Sequence, residues 1–314
     1  MRILLPYFDN GNWGFVDDKM NVVIQPVYGD VRDFNDGLAV VSVNERYGYI
    51  GMNGEVIIEP KFLHAEDCCG DKAIVEDDSG YTVIDTTGAQ LLPRHYNWLY
   101  GLDMSNEMFA AQDKPTGKWK VIDLQGRELL PTEMDDVDGV DECGWWRTSK
   151  GGVHIFRRGL EIVRHYVYEH MSSFNYGMAV VGDGIKTGVV DRENNLVLPI
   201  DYYDASVLND KCIAARFTED GDFALFHVLK GTWGRLRFDY CSDAGYNGLM
   251  FVASGGRLSL YDGDENCVMA NLGEEVLGPY CGKYWMIWEN ETRMYYLNIG
   301  EDGVYRLPEC PVSR

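Results

Sequence analysis

A short aromatic-glycine segment recurs about every 34 residues along this chain, first as Trp13-Gly14-Phe15-Val16-Asp17 and then as Tyr47-Gly48-Tyr49-Ile50-Gly51. A period of that length is one supersecondary unit, and tandem units of one kind stack on each other. With the aromatic slot as register, the series runs Trp13, Tyr47, Tyr81, Trp119, Val153, Thr187, Phe223, Arg257 and Arg293, in steps of 34, 34, 38, 34, 34, 36, 34 and 36. Nine degenerate copies therefore fill almost the whole chain.

Each well-kept copy has three parts. The first reads aromatic-Gly-apolar-apolar-Asp and closes on a turn glycine such as Gly54, Gly88 or Gly126, which is a short strand and a tight turn. The second is an apolar run ending in proline, as in Val22-Val23-Ile24-Gln25-Pro26, Val56-Ile57-Ile58-Glu59-Pro60 and Val197-Leu198-Pro199. Proline cannot donate to a ladder, so it is expected to end that strand. The third is Phe34-Asn35-Asp36-Gly37-Leu38-Ala39-Val40-Val41, nearly repeated at Phe174-Asn175-Tyr176-Gly177-Met178-Ala179-Val180-Val181.

The apolar runs are four to five residues long, β-branched and broken by glycine before a third helical turn, so almost no helix is expected. The fold class is all-β, a tandem array of about nine three-stranded antiparallel units. Residues 1–314 read as a single array, regular over 11–217 and degenerate over 218–314. The last copy stops without a third strand, while Ile3-Leu4-Leu5-Pro6-Tyr7 precedes the first copy. If that segment supplies the missing strand, the array closes like a propeller. Otherwise it is an open, solenoid-like superhelix capped by Ile3-Leu4-Leu5.

The copies resemble the WG repeat, a family of bacterial and some eukaryotic tandem repeats named for the pair seen here at Trp13-Gly14. The Gly37-Leu38-Ala39 segment also fits its pattern, and the resemblance spans residues of roughly 11 to 300. It implies a β-rich interaction module without an assigned activity. WG-like proteins also resemble those found beside polymorphic toxin genes, which implies an immunity protein as one sharper form.

Lys and Arg number 28 against 50 Asp and Glu, a formal charge of -22. Such a surface repels nucleic acid and anionic lipid and steers toward basic partners, although acidity also serves simply to keep an edge-bearing sheet protein soluble. The eight cysteines take no fixed repeat position, as expected of reduced thiols in a cytoplasmic protein. The N-terminus is too short in apolar residues for a signal peptide core, and no run approaches membrane-spanning length.

Chemistry is sparse. Asp17, Asp85, Asp123 and Asp191 recur at one slot, which points to turn acceptors rather than catalytic acids. Asp262-Gly263-Asp264-Glu265-Asn266 has alternating oxygens but lacks the glycine and glutamate a calcium loop needs. The six histidines form no zinc motif, and His165 and His170 read as part-buried structural residues. No nucleophile elbow or phosphate loop is present. No catalytic, cofactor or metal residue is therefore assigned, and an enzyme is not expected.

Aromatic residues outside the repeat slot stand out, namely Trp98 with Tyr100, Trp145 with Trp146, and Trp285 with Trp288. Neighbours on a strand face opposite ways, so Trp145 and Trp146 cannot share one core. Either one of them lies exposed beside the acidic run Asp135, Asp136, Asp138, Asp141 and Glu142, or adjacent repeats cover both. An aromatic anchor within a charged rim is the composition of a protein interface. The candidate partner-binding residues are accordingly these five acids with Trp145, Trp146, Trp285 and Trp288. The expected function is non-enzymatic binding of a basic protein, with neutralisation of a basic toxin domain as the sharper form. A scaffold or adaptor, or a glycan-binding protein, is the alternative.

Overall fold

A computed structural model describes residues 3–130, 134–141, 144–150, 153–280, 282–290, 293–301 and 303–308. Nine small antiparallel sheets follow one another along the chain and form the blades of a nine-bladed propeller, with no helix among the described residues. Blade two shows the full pattern: Asp30–Asn35 innermost, then Leu38–Val43 and Arg46–Gly51, with Val56–Phe62 outermost.

Four strands appear where the repeat suggests three, because its third part is a hairpin. Asp36 and Gly37 both have positive φ, 49° and 85°, and Tyr176 and Gly177 match them at 50° and 74°. Two central residues of that kind make the tight turn that joins twisted strands. Phe34-Asn35 thus ends one strand and Leu38 begins the next. In blades three and four the outer strand thins to isolated bridges, Tyr81 with Tyr96 and Trp119 with Met134.

The proline does not end the outer strand. Val22–Tyr28 runs through Pro26, and its pairing jumps from Phe15 opposite Ile24 to Trp13 opposite Tyr28. The extra residues form a bulge on an edge strand, where the missing N–H of proline is harmless. This bulge also explains the repeat glycine. A Cβ on Gly14 would lie 2.3 Å from the Ile24 carbonyl oxygen, and Gly48 and Gly188 meet the Ile58 and Leu198 oxygens at 2.4 and 2.6 Å.

A blade combines the third part of one copy with the first two parts of the next. Blade one follows this rule, since Leu4–Asp9 pairs with Asn12–Asp17 in the position Leu38–Val43 takes in blade two. The N-terminal strand therefore supplies what the last copy lacks, and the ring closes. Nine apolar clusters fill the nine seams between blades. An open array of nine would have eight. The closing seam packs Leu5, Tyr7 and Val16 of blade one against Tyr284, Met286 and Tyr296 of blade nine.

Candidate binding face

The acidic run of blade five has partners within the chain. Lys118 Nζ lies 2.7 Å from Asp135, and Arg147 Nη2 lies 3.5 Å from Asp136 and 2.9 Å from Asp138. Asp138 also accepts from Ser173 Oγ at 3.0 Å. Burial would raise its carboxyl, but the bonds from Arg147 outweigh that and hold it below the usual range. The Asp141 side chain is fully covered and meets Arg192 Nη2 at 3.1 Å, while accepting from the Trp145 amide at 2.9 Å. Glu142 lies outside the described residues.

The tryptophans of the same prediction are mostly core. Trp146 is 1 % exposed in the seam between blades four and five, its indole N–H donating to Gly159 O at 2.7 Å. Trp145 faces the opposite seam, half-buried, with the Arg192 guanidinium 4.3 Å above its ring and 4.7 Å from Phe174. Adjacent blades thus cover both faces of the strand. Trp285 is buried against Phe251 at 5.0 Å, and the half-buried Trp288 packs on Phe8 and Trp13 in the closing seam. Trp146 and Trp285 therefore leave the candidate surface, and the described acids of blade five are paired within the chain, Asp141 in the seam and Asp135, Asp136 and Asp138 at the surface.

A different acidic feature follows from the ring itself. In an antiparallel blade the start of the inner strand and the end of the outer strand lie at the same end, so every corner between blades is on one face. At these corners one amide bonds back across the blade: Gly29 to Ser42 O, Leu63 to Glu76 O, Asn97 to Gln112 O, Asp135 to Ser149 O, Tyr203 to Arg216 O, Asp239 to Ala253 O and Glu274 to Trp288 O. Blade six enters at Glu169-His170, where His170 pairs with Gly182. Carboxylates occupy these corners repeatedly, as Asp30, Asp135, Asp136, Glu169, Asp204, Asp239, Glu274 and Glu275. No compact motif betrays them; aligning the copies at the corner and reading down the column would.

Exposed aromatic side chains sit among these acids: Trp98 (42 %), Tyr100 (36 %), Tyr203 (38 %) and Tyr240 (56 %). Trp98 and Tyr100 are alternate residues of the inner strand Trp98–Asp103, on the face that the buried Leu102 shares, with Leu99 buried on the other. Their rings continue a ladder across two blades. Tyr81 lies 4.9 Å from Trp98, and Tyr100 stacks on Trp119 at 5.2 Å and 12°. Burial, with the charges of Glu76 and Glu66 beside it, pushes the Tyr81 hydroxyl up to about 12.

A second cluster, between blades seven and eight, was not foreseen. Asp262 fills the recurrent turn slot, accepting from the amides of Asp264 at 2.9 Å and Asn266 at 2.8 Å, as Asp17 and Asp191 do in their own turns. The left-handed position of that turn is Met20, Gly54, Gly88, Gly126 or Asn194 elsewhere, but here it is the carboxylate-bearing Glu265 with φ 66°. Glu265 Oε2 takes the Arg235 amide at 2.8 Å, and Oε1 lies 3.6 Å from His227 Nε2. The other imidazole nitrogen of His227 lies 3.8 Å from Cys212 Sγ. Trp233-Gly234, off register in the repeat, makes room for this carboxylate: a Cβ on Gly234 would collide with Glu265 Oε1.

Thiol, imidazole and carboxylate stand in a row there, beside a cleft of about 420 Å³ lined by Lys211, His227, Lys230 and Asp264. Cys212 is wholly buried and burial pushes its thiol up to about 11, so it presents no thiolate at neutral pH. Among the described residues no group of three or more His, Cys, Asp or Glu could hold a metal ion. His165 and His170 are exposed, not part-buried; the buried histidine is His154.

The family model for the WG containing repeat matches residues 13–47 and 47–67, that is, the first copy and the opening part of the second. No curated protein matches the chain. Among solved structures, the chain is similar to a crystal structure of the eukaryotic initiation factor, 11% identical over 95% of this chain and 82% of that one, with a TM-score of 0.55. It also aligns with Kluyveromyces lactis Hsv2 (10% identity, 77% and 96% covered, TM-score 0.45) and with apo AztD from Citrobacter koseri (13%, 83% and 91%, 0.42). At these identities the likeness is one of fold alone.

Proposed function

We propose that this chain is a non-enzymatic binding propeller that captures a basic protein on the face carrying the blade corners. The observation that carries this reading is the recurrence of carboxylates at the two adjacent corner positions around the ring, interspersed with exposed Trp98 and Tyr240. Repeated like charges on one face focus a field that speeds capture of an opposite charge, and aromatic side chains within that rim supply the anchors. Pairing within the chain spends much of the acidity of blade five on structure, whereas Glu169, Asp239, Glu274 and Glu275 are exposed.

The sharper form is an immunity protein that neutralises a basic toxin domain by direct binding; a scaffold with several partners is the broader one. Affinity purification from the native host, followed by reconstitution with the recovered partner, tests both. The expected result is a stoichiometric complex with a basic protein. Its affinity should fall steeply with salt and after Glu169→Lys, Glu274→Lys and Glu275→Lys together. A complex indifferent to salt and to these reversals overturns the reading. Protection of cells expressing the partner selects the immunity form.

A further inference from the structure

We infer that the Trp98 and Tyr100 pair on blade four receives an arginine side chain of the partner; this rests on the reading that the partner is a basic protein. The molecule itself shows what fills such sites elsewhere on the ring. Arg192 lies over Trp145 and Phe174 and pairs with Asp141. Arg216 lies 5.2 Å from the Tyr203 ring and 5.0 Å from Phe223, paired with Asp204 at 3.5 Å. Arg306 lies 3.7 Å over Tyr295 and 3.0 Å from Glu289. Three times an aromatic surface with a carboxylate beside it is covered by a guanidinium from the chain.

Blade four has the same ingredients without the cation. Trp98 and Tyr100 are exposed, Glu76 and Glu66 flank Tyr81 against which Trp98 packs, and among the described residues no Lys or Arg lies over either ring. The nearby Arg94 lies over Tyr96 and faces Asp113. The pair is held rigidly, since Tyr81 backs Trp98 and Trp119 backs Tyr100, so little side-chain freedom is lost on binding.

A guanidinium suits this surface better than an ammonium. It is planar, stacks on an indole, is more weakly hydrated, and leaves its edge donors free for carboxylates. A sugar would stack on the indole too, but would gain nothing from a formal charge of -22.

Calorimetric titration of the whole chain with hexa-arginine and hexa-lysine peptides tests the inference. The expected result is binding of the arginine peptide about fivefold tighter than the lysine peptide. Trp98→Ala should erase that preference in a protein that still melts cooperatively, and Trp98→Phe should keep part of it. Equal affinities for both peptides, or a preference that survives Trp98→Ala, overturn the inference while salt-sensitive binding of either peptide leaves the acidic-face reading standing. Binding of neither peptide overturns both. Saturable binding of a chito-oligosaccharide that is lost in Trp98→Ala assigns the pair to a sugar instead and overturns the inference.

Discussion

The Tyr296 hydroxyl donates to the backbone carbonyl of Pro6, tying the third strand of the last blade to the first strand of the chain. Both residues are buried in the closing seam. Tyr296→Phe keeps the ring's apolar contacts and removes only that bond, so it should cost about 1 kcal/mol. Amide exchange should quicken over Leu4–Asp9 while the equivalent strand Leu38–Val43 is unaffected. Equal exchange in both strands would mean that closure does not depend on this contact.

The repeat glycine makes a sharper prediction. At Gly14, Gly48 and Gly188 the obstacle to a Cβ is backbone, which cannot swing aside. Gly48→Ala should therefore destabilise by about 2 kcal/mol or more. Gly139, where nothing lies within 4 Å of the added carbon, provides the control, and Gly139→Ala should stay within about 0.5 kcal/mol of the parent. Denaturant midpoints compare them directly, and equal shifts would refute the close-approach account.

The unit of the fold was legible in the sequence because each of its signals has a local cause. Gly14 answers a bulge in its own sheet, and Asp17 answers its own turn. Closure was legible only as an alternative, since Ile3-Leu4-Leu5 reads equally as a cap until its partners across the seam are known. The candidate site was legible less well. Asp141 and Trp145 looked like an anchor in an acidic rim, yet their cation, Arg192, is 51 residues away and belongs to the next blade. Pairing across a seam leaves no trace in linear spacing. Glu265 left one, by putting a carboxylate where most of these turns carry glycine or asparagine.

Two ion pairs of that acidic run should respond very differently to deletion. The Asp141 side chain has no exposed surface and Arg192 is 16% exposed, so Arg192→Met strands a covered carboxylate and uncaps Trp145. A loss of about 3 kcal/mol is expected. Lys118 and Asp135 are each 46% exposed, and Lys118→Met should cost less than about 1 kcal/mol. Similar losses in thermal or chemical melts would contradict the division between seam and surface.

Stability should also depend on pH through His154. Its Nδ1 accepts from Arg147 Nη1 at 3.0 Å, which leaves Nε2–H to donate to Tyr168 O at 3.0 Å, and the ring is 4 % exposed. The bond from Arg147 needs the neutral imidazole, whereas Nε2–H donates to Tyr168 in either state. Burial first, and then the Arg147 and His170 charges, hold its pKa below the ordinary 6.5, against the Tyr168 bond and the more distant Asp136. The unfolded chain takes up that proton more readily than the folded one, so the stabilisation is complete above the ordinary value and is lost as pH falls through the folded one. His64, lowered by burial and Arg32, acts in the same direction. Melting temperature should therefore drop between about pH 7 and pH 5.5, above the range of ordinary carboxylates. In His154→Gln, whose amide can both accept and donate, the drop should shrink to the share carried by His64; an undiminished drop would assign the sensitivity to other groups.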